Sequence, residues 1–232
     1  MTPDILAALE QAKRDKRPVV LATRLPSGEQ RLLPDPAAPA ELNETAVAAL
    51  KSDESGTHKI GGEDWFLHAY NPPLRLVIVG AVHIAQALAP FAAQCGFAVT
   101  VVDPRRSFAS DERFPGITIS TAWPDEAMDE FRADSRTAVV TLTHDPKLDD
   151  PALDRALKSD AFYIGALGSR RTHAARLKRL SDLGHDDVAM ARIKGPVGLD
   201  IEAVTATEIA VSVVAEIIAT RRGSPLAPRR LA

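Results

Sequence analysis

The stretch Leu74-Arg75-Leu76-Val77-Ile78-Val79-Gly80-Ala81-Val82-His83 decides the fold of the larger part of this chain. Residues 74–79 are nearly all apolar, with three β-branched residues in succession, which is typical of a strand buried on both faces of a sheet. A glycine follows, and the apolar residues after it recur at helical spacing. We therefore expect a strand, a tight turn and a helix in direct succession.

Similar segments recur along the rest of the chain. The predicted strands are residues 74–79, 97–102, 137–142 and 161–164, and the predicted helices are residues 83–95, 150–158 and 172–183. Strands that alternate with helices form a parallel sheet with right-handed crossovers. The predicted fold class is therefore α/β, with a Rossmann-like doubly wound parallel sheet.

The helix predicted over residues 83–95 contains two notable residues. Pro90 is expected to kink this helix or to shift its start, because proline lacks the backbone N–H and clashes with the preceding turn. Cys95 falls on the same stripe as Leu88 and Phe91 and is therefore expected to be buried, where a thiol behaves as a small hydrophobic group.

Residues 1–70 show a different pattern and are predicted to form a small N-terminal α+β domain. Thr2-Pro3-Asp4 has the composition of a helix start. The other predicted elements are strands at 19–22 and 30–33, a helix at 44–51, and a hairpin of residues 58–60 and 65–69 around Gly61-Gly62. Asn71-Pro72-Pro73 is a stiff break, so the second domain is expected to span residues 74–232.

Composition excludes several classes of function. The 28 basic and 31 acidic residues give a net charge of −3, which argues against a nucleic-acid-binding protein. The single cysteine excludes an intrachain disulfide and a multi-thiolate zinc site, and it fits a reducing compartment. No apolar run approaches the ~20 residues of a membrane span, and no export signal is visible. We therefore expect a cytoplasmic protein without membrane or metal sites.

The first candidate site is the turn after residues 74–79. Gly80 and Ala85 occupy the outer positions of a Gly-x-Gly-x-x-Gly/Ala fingerprint, but Val82 replaces the central glycine that lets a pyrophosphate approach the backbone. Ordinary NAD binding is therefore disfavoured. The helix start still favours an anion, to which His83 is placed to donate. The alternative is that His83 only packs or caps there.

The second candidate site follows residues 97–102. Asp103 stands 23 residues after Gly80, close to the position where an acidic residue commonly accepts from ribose hydroxyls. Arg105 and Arg106 are suited to a phosphate instead. A helix cap or a surface ion pair is the structural alternative.

The third candidate site is His144-Asp145, which follows residues 137–142. Ligands of open parallel sheets bind beyond the carboxyl ends of the strands, so both side chains are candidates for hydrogen bonding or proton transfer. Equally, Asp145-Pro146 is a common start of a turn.

The fourth candidate site is Gly165-Ala166-Leu167-Gly168-Ser169-Arg170-Arg171. Two glycines, a hydroxyl and two guanidinium groups before a helix form a second candidate anion site. The alternative is that Ser169 only caps the helix while Arg170 and Arg171 are solvated.

No catalytic residue is predicted. The sequence contains no nucleophilic serine elbow, no His-Glu-x-x-His helix and no Walker lysine loop. Thr205 and Glu208 have the spacing of a capping box ahead of the apolar residues 209–218, which predicts a C-terminal helix that supplies either core or interface.

Together these segments resemble the XdhC/CoxI family over most of residues 74–222. The resemblance is carried by Val79-Gly80-Ala81-Val82-His83-Ile84-Ala85, Val101-Val102-Asp103-Pro104-Arg105, Thr141-Leu142-Thr143-His144-Asp145, Tyr163-Ile164-Gly165-Ala166-Leu167-Gly168-Ser169-Arg170 and Gly195-Pro196-Val197-Gly198-Leu199-Asp200-Ile201. Longer members carry an N-terminal domain with a Gly-Ser-x-Pro-Arg stretch and a later glycine cluster. Only Gly61-Gly62 is comparable here.

The resemblance implies an accessory factor that binds molybdenum cofactor (molybdopterin) and delivers it to a molybdenum hydroxylase, such as xanthine dehydrogenase or carbon monoxide dehydrogenase. It also implies a homodimer and, in some members, an encounter with a cysteine desulfurase. The leading hypothesis is a non-catalytic chaperone that holds the cofactor's phosphate near residues 80–83 or 165–171 and its pterin near Asp103, His144 or Asp145. The alternatives are an NAD(P)-dependent oxidoreductase, favoured by Asp103 and disfavoured by Val82, and a nucleotide-binding sensor module.

Overall fold

The computed structural model describes residues 1–224 of the chain. These residues divide into two compact units, of which the first is Met1–Pro72 and the second begins at Pro73. We propose that the two units are separately folding domains. Within residues 1–224, no helix is long and apolar enough to cross a membrane.

The first unit is a four-stranded antiparallel sheet with two helices. Its elements are α1 (Pro3–Arg14), β1 (Val19–Leu25), β2 (Gln30–Leu33), α2 (Ala40–Ser52), β3 (Gly56–Ile60) and β4 (Glu63–Tyr70), in the sheet order β2-β1-β4-β3. The hairpin between β3 and β4 is confirmed, with Gly61 and Gly62 both at positive φ, as its two-residue turn requires. Helix α2 begins four residues before its predicted start, directly after Pro39 at the end of the proline-rich loop.

The second unit is built on a six-stranded sheet. Its elements are β5 (Leu74–Val79), α3 (His83–Gln94), β6 (Phe97–Val102), β7 (Thr118–Ser120), α4 (Pro124–Phe131), β8 (Thr137–Thr141), α5 (Pro146–Leu157), β9 (Tyr163–Ala166), α6 (Arg170–Asp182), α7 (Asp187–Met190), β10 (Ile193–Lys194) and α8 (Ala206–Arg221). All strand pairs are parallel, and the order is β10-β9-β8-β5-β6-β7. This confirms the Rossmann-like doubly wound fold.

Helices cover both faces of this sheet. Apolar residues of α3 and α8 pack on one face, and apolar residues of α4, α5 and α6 pack on the other. Strand β5 lies at the centre, and its last four residues are fully buried. The strand order reverses between β5 and β8, and in this fold the ligand crevice lies at that point, beyond the carboxyl ends of the strands.

Several predicted features of the second unit differ in the structure. Pro90 lies inside α3 without moving its start, and Cys95 is exposed because the helix ends at Gln94 and the chain turns away at Gly96. The expectation of a buried Cys95 was therefore wrong. Helix α5 begins at Pro146 rather than residue 150, with Asp145 as its cap. Strand β7 and helix α4 were not predicted, because both are too short for a clear periodicity.

Candidate functional site

Four loops meet at the carboxyl edge of the parallel sheet. They follow β5, β6, β8 and β9, and together with the first turns of α3 and α6 they contain all the predicted site residues except Gly165, which lies within β9. Because all strands of the sheet are parallel, segments far apart in sequence reach the same edge. The sheet therefore assembles the predicted residues beside the point where the strand order reverses.

The turn after β5 packs tightly against the loop after β8. Gly80 has a φ of +108°, and a Cβ at this position would lie 2.4 Å from Cγ2 of Thr143. Its amide donates to the carbonyl of Val102 at 2.8 Å. Only glycine satisfies both the backbone conformation and the close approach. The absence of a side chain at Gly80 therefore allows the loops after β5 and β8 to pack closely.

The buried carboxylate of Asp103 stabilises this turn by accepting hydrogen bonds. The side chain is fully buried, and its Oδ2 accepts from the amide of Ala81 at 2.8 Å and from Nη2 of Arg105 at 2.7 Å. Its Oδ1 accepts from the amide and Nε of Arg105 at 3.0 and 2.9 Å. A carboxylate has about four acceptor positions, so none remains for a ribose hydroxyl. The structure thus places Asp103 in an ion pair with Arg105, which is buried on the Asp103 side and is not the surface ion pair that the sequence left as an alternative. A contact between Asp103 and a ligand stays a prediction.

These contacts also determine the charge of Asp103. Burial raises the pKa of a carboxyl group, but the hydrogen bonds from the Arg105 guanidinium and from the amides of Ala81 and Arg105 outweigh it, so the pKa of Asp103 lies below its ordinary value. Arg105 also lies over the ring of Phe108, at 4.5 Å from the ring centre. Asp103 is therefore a charged group whose acceptor capacity is used inside the protein.

Helix α3 begins at His83 without a side-chain cap. Val82 occupies the cap position, is half-buried and packs against the apolar core. His83 is exposed at the first helical position. Because Val82 has no polar side-chain atom, the first amides of α3 require an acceptor from elsewhere.

The loop after β8 places His144 beside the loop after β9. His144 has a φ of +62°, an uncommon conformation for a residue with a side chain, and it is exposed. Its Nδ1 lies 3.6 Å from the position that a Cβ on Gly168 would take. Asp145 caps α5 by accepting from the amide of Lys147 at 2.9 Å. The turn interpretation of Asp145 therefore describes its contacts, while its role toward a ligand stays a prediction.

The loop after β9 leads into α6. Gly168 has a φ of +139°, and Ser169 caps the helix by accepting from the amide of Thr172 at 3.2 Å. Arg170 and Arg171 occupy the first two helical positions and are exposed. A cation near a helix N-terminus is unfavourable by about 0.3–1 kcal/mol, the converse of the stabilisation at a C-terminus. This placement favours a bound anion.

Gly165 has a packing explanation. A Cβ at this position would lie 2.5 Å from Cγ2 of Val197 and 2.8 Å from Cε1 of Tyr163. The residue is buried inside β9. Glycine is therefore required there by neighbouring side chains, and a contact between Gly165 and a ligand stays a prediction.

Two helices stand apart in the charge of their first turns. Among the eight helices of the described residues, six carry an acidic residue there, namely Asp4, Glu41, Asp125 with Glu126, Asp149, Asp187 and Glu208. Helices α3 and α6 carry none. Both begin at the crevice, as does α5, whose first turn contains Asp149. Of these three helix starts, those of α3 and α6 therefore lack an acidic side chain that would compete with an external anion.

Sequence reasoning missed a buried network beneath these loops. Oγ1 of Thr143 donates to Oδ1 of Asp149 at 2.7 Å, and Nη2 of Arg176 lies 3.4 Å from Oδ2 of Asp149. The same Nη2 donates to the carbonyl of Leu167 at 2.8 Å. Burial raises the pKa of Asp149 and lowers the pKa of Arg176. The network ties the loop after β8 to the loop after β9.

A signal for Arg176 was present in the sequence. It follows Ser169 by seven residues, so the cap and the arginine share one face of α6.

The described residues contain no group of three His, Cys, Asp or Glu side chains arranged to hold a metal ion.

Comparisons with known proteins give the relatives of this chain. The family model described as the XdhC Rossmann domain matches residues 76–217. The chain is 37% identical over 158 residues to a Bacillus subtilis protein described as a probable subunit of xanthine dehydrogenase, covering 68% of this chain and 46% of that protein. It is 35% identical over 152 residues to the molybdenum cofactor insertion chaperone PaoD of Escherichia coli, covering 66% of this chain and 42% of that protein.

A solved structure extends the similarity to the first unit. The crystal structure of a protein described as a xanthine dehydrogenase from Bacillus halodurans matches with a TM-score of 0.72 and 25% identity, covering 98% of this chain and 66% of that one. The chain spans between 33% and 46% of the length of the curated relatives that it matches.

Proposed function

The chain belongs to the XdhC family, and on this premise we propose that it binds molybdenum cofactor and delivers it to a molybdenum hydroxylase of the xanthine dehydrogenase or carbon monoxide dehydrogenase type. In this proposal the chain is a carrier rather than a catalyst. The name of PaoD, an insertion chaperone for molybdenum cofactor, supports the choice of ligand.

One observation supports the proposal most strongly. Of the three helices that begin at the crevice, α3, α5 and α6, only α5 has an acidic residue in its first turn, and α6 begins with Arg170 and Arg171. Molybdenum cofactor carries a terminal phosphate beside a polar pterin ring. A crevice with two anion-receptive helix starts and exposed imidazoles at His83 and His144 suits such a ligand.

Each group of residues has its own task in this proposal. Gly80, Asp103 and Arg105 shape the turn after β5, and His144 and Asp145 lie where the pterin edge is recognised. Ser169, Arg170 and Arg171 hold the negatively charged end. When bound, the cofactor supplies the redox chemistry of the client enzyme, whereas the residues of this chain bind it and orient it.

Further partners belong to the same proposal. A client hydroxylase must meet the loaded carrier, and a cysteine desulfurase is the expected partner if the cofactor is sulfurated while it is bound here. We further propose that the carrier works in the cytoplasm as a homodimer.

Calorimetric titration of the purified chain with isolated molybdenum cofactor tests the proposal. NAD, NADP and GTP serve as control ligands. We expect selective binding of the cofactor. The Arg170→Glu/Arg171→Glu variant should lose both this binding and the activation of a cofactor-free hydroxylase, because two attractive charges become repulsive.

Lys178→Glu is the matched control, since Lys178 is exposed on the same helix but lies outside the crevice loops. It should bind and activate like the unmodified chain. Selective binding of NAD or NADP would contradict the proposal and favour an oxidoreductase, and tight GTP binding without hydroxylase activation would favour a nucleotide sensor.

A further inference from the structure

Two of the helix starts at the crevice, those of α3 and α6, are candidates for the phosphate of the ligand, and the proposed function leaves open which of them receives it. Both α3 and α6 lack an acidic residue in the first turn. The contacts beneath them differ, however, and these contacts distinguish the two.

The turn directly before α3 already donates to a carboxylate of the protein. The amide of Ala81, which lies in the turn where glycine-rich loops face a phosphate, donates to Oδ2 of Asp103 at 2.8 Å. Asp103 is fully buried, and it places a negative charge directly beneath this turn. The side chain of Val82 fills the position of the central glycine. A phosphate there would find the Ala81 amide already bonded, would contact the apolar side chain of Val82 and would lie near the negative charge of Asp103.

The start of α6 has the opposite character. Arg170 and Arg171 are exposed at the first two helical positions, where the helix dipole repels a cation. Ser169 accepts from the amide of Thr172, so the cap uses one amide of the first turn. The exposed positive charge and the remaining amides at this helix start both suit an anion.

A third guanidinium lies beneath the same helix start. Side chains of a helix point back toward its N-terminus, and Arg176 reaches the carbonyl of Leu167, two residues before the cap, at 2.8 Å. Arg176 is only 1% exposed, and its Nη2 lies 3.4 Å from Oδ2 of the buried Asp149, yet its Nε and Nη1 have no hydrogen-bond partner within residues 1–224. Unpaired donors on a buried cation are costly, and an anion close to the group offsets that cost.

We propose that the phosphate end of the ligand, a phosphomonoester dianion, binds at the N-terminus of α6. Arg170, Arg171 and the first amides of α6 hold it, and Arg176 is a positioning residue that adds a buried positive charge and holds the loop in place through Leu167. The turn at Gly80 then receives the uncharged part of the ligand. This assignment rests on the proposed function for the identity of the ligand, but not for the presence of an anion site.

Titration of the isotope-labelled full chain with inorganic phosphate, at constant ionic strength, tests the assignment by nuclear magnetic resonance. We expect the amide signals of residues 170–172 to shift and those of residues 82–85 to stay unchanged. Arg171→Gln should weaken phosphate binding about tenfold, as the loss of one charge-assisted hydrogen bond predicts. Lys178→Gln, on an exposed part of the same helix, should not weaken it.

The role of Arg176 is tested by two variants of similar size. Arg176→Met should weaken phosphate binding, and Arg176→Lys, which restores the charge, should recover part of the affinity. A merely structural role would leave the affinity of any folded Met variant unchanged. If Arg176→Met fails to fold, the comparison of Arg171→Gln with Lys178→Gln still decides the site.

Phosphate shifts confined to residues 82–85, or an unchanged affinity of Arg171→Gln, would overturn the assignment. A competition experiment between phosphate and molybdenum cofactor tests this assignment separately from the proposed function. If phosphate binds at α6 while molybdenum cofactor does not bind at all, the anion site is supported and the proposed function is contradicted. If the cofactor binds, is not displaced by phosphate and does not shift the amide signals of residues 170–172, the proposed function is supported and the anion site is contradicted.

Discussion

At the scale of single residues, the crevice depends on a few buried polar groups that hydrogen-bond to other parts of the protein. Asp103 is the clearest of them, because both of its oxygens accept from Ala81 and Arg105. A carboxylate at this position of the fold commonly contacts a ribose. Here its geometry makes it a support for the turn at Gly80.

Asp103→Asn should therefore destabilise the chain by about 1–3 kcal/mol at pH 7, since a neutral amide cannot accept all the hydrogen bonds that the buried carboxylate accepts. The native pKa of Asp103 is lowered. Its stabilising contribution is thus fully present above the unfolded pKa of about 3.9 and is lost as the pH falls from there through the native pKa. Urea unfolding at several pH values measures this, and the gap between the two proteins should narrow below about pH 4.

Asp129→Asn is a suitable control for this experiment. Asp129 pairs with Arg155 at 2.8 Å but is 60% exposed. Its loss should cost no more than about 1 kcal/mol. A pH-independent gap for Asp103→Asn would show that the carboxylate does not act through its charge.

At the scale of elements, local capping rules account for most helix starts, including those of α5 and α6 at the crevice but not that of α3. Helix α8 shows this most clearly, because Thr205 and Glu208 form a complete capping box at its start. The helix also packs against α3 in the core cluster on one face of the sheet. The N-terminal cap of α8 therefore stabilises a helix that packs against α3, which begins at the crevice.

Thr205→Ala should lower the free energy of unfolding by about 1 kcal/mol, because the amide of Glu208 loses its acceptor. Thr207→Ala is the matched control, since Thr207 is exposed on the same helix and makes no capping bond. Chemical denaturation of both variants checks the difference. Equal losses would mean that the cap contributes nothing to global stability.

At the scale of the whole molecule, the chain consists of two units, each with its own apolar core. The two large core clusters of the second unit contain only residues from Leu74 onward, and the clusters of the first unit contain only residues before Pro72. Each sheet is likewise formed within one unit. The second unit thus contains both its own core and all the predicted site residues.

A shortened chain of residues 73–232 should therefore fold alone and unfold cooperatively, since a domain of ~150 residues buries enough surface to be stable. It should also retain the binding of inorganic phosphate at α6. Circular dichroism during urea unfolding and the phosphate titration check both expectations. A shortened chain without a cooperative transition would show that the units do not fold independently.

Sequence by itself determined the features that depend on neighbouring residues. The buried strand β5, the glycine turn, the hairpin at Gly61-Gly62 and the capping box of α8 follow from side-chain periodicity and backbone conformation over a few residues. Because parallel strands deliver their carboxyl ends to one edge, the sequence also predicted which loops would meet.

Only the tertiary structure decided which polar and small residues meet across the fold. The partner of Ala81 lies 22 residues away, and Asp149 and Arg176 are 27 residues apart. The requirement for glycine at position 165 comes from Val197 and Tyr163, and Cys95 is exposed because α3 ends before it. Local patterns specify the conformation of a segment, whereas contacts such as these exist only after the segments have packed together.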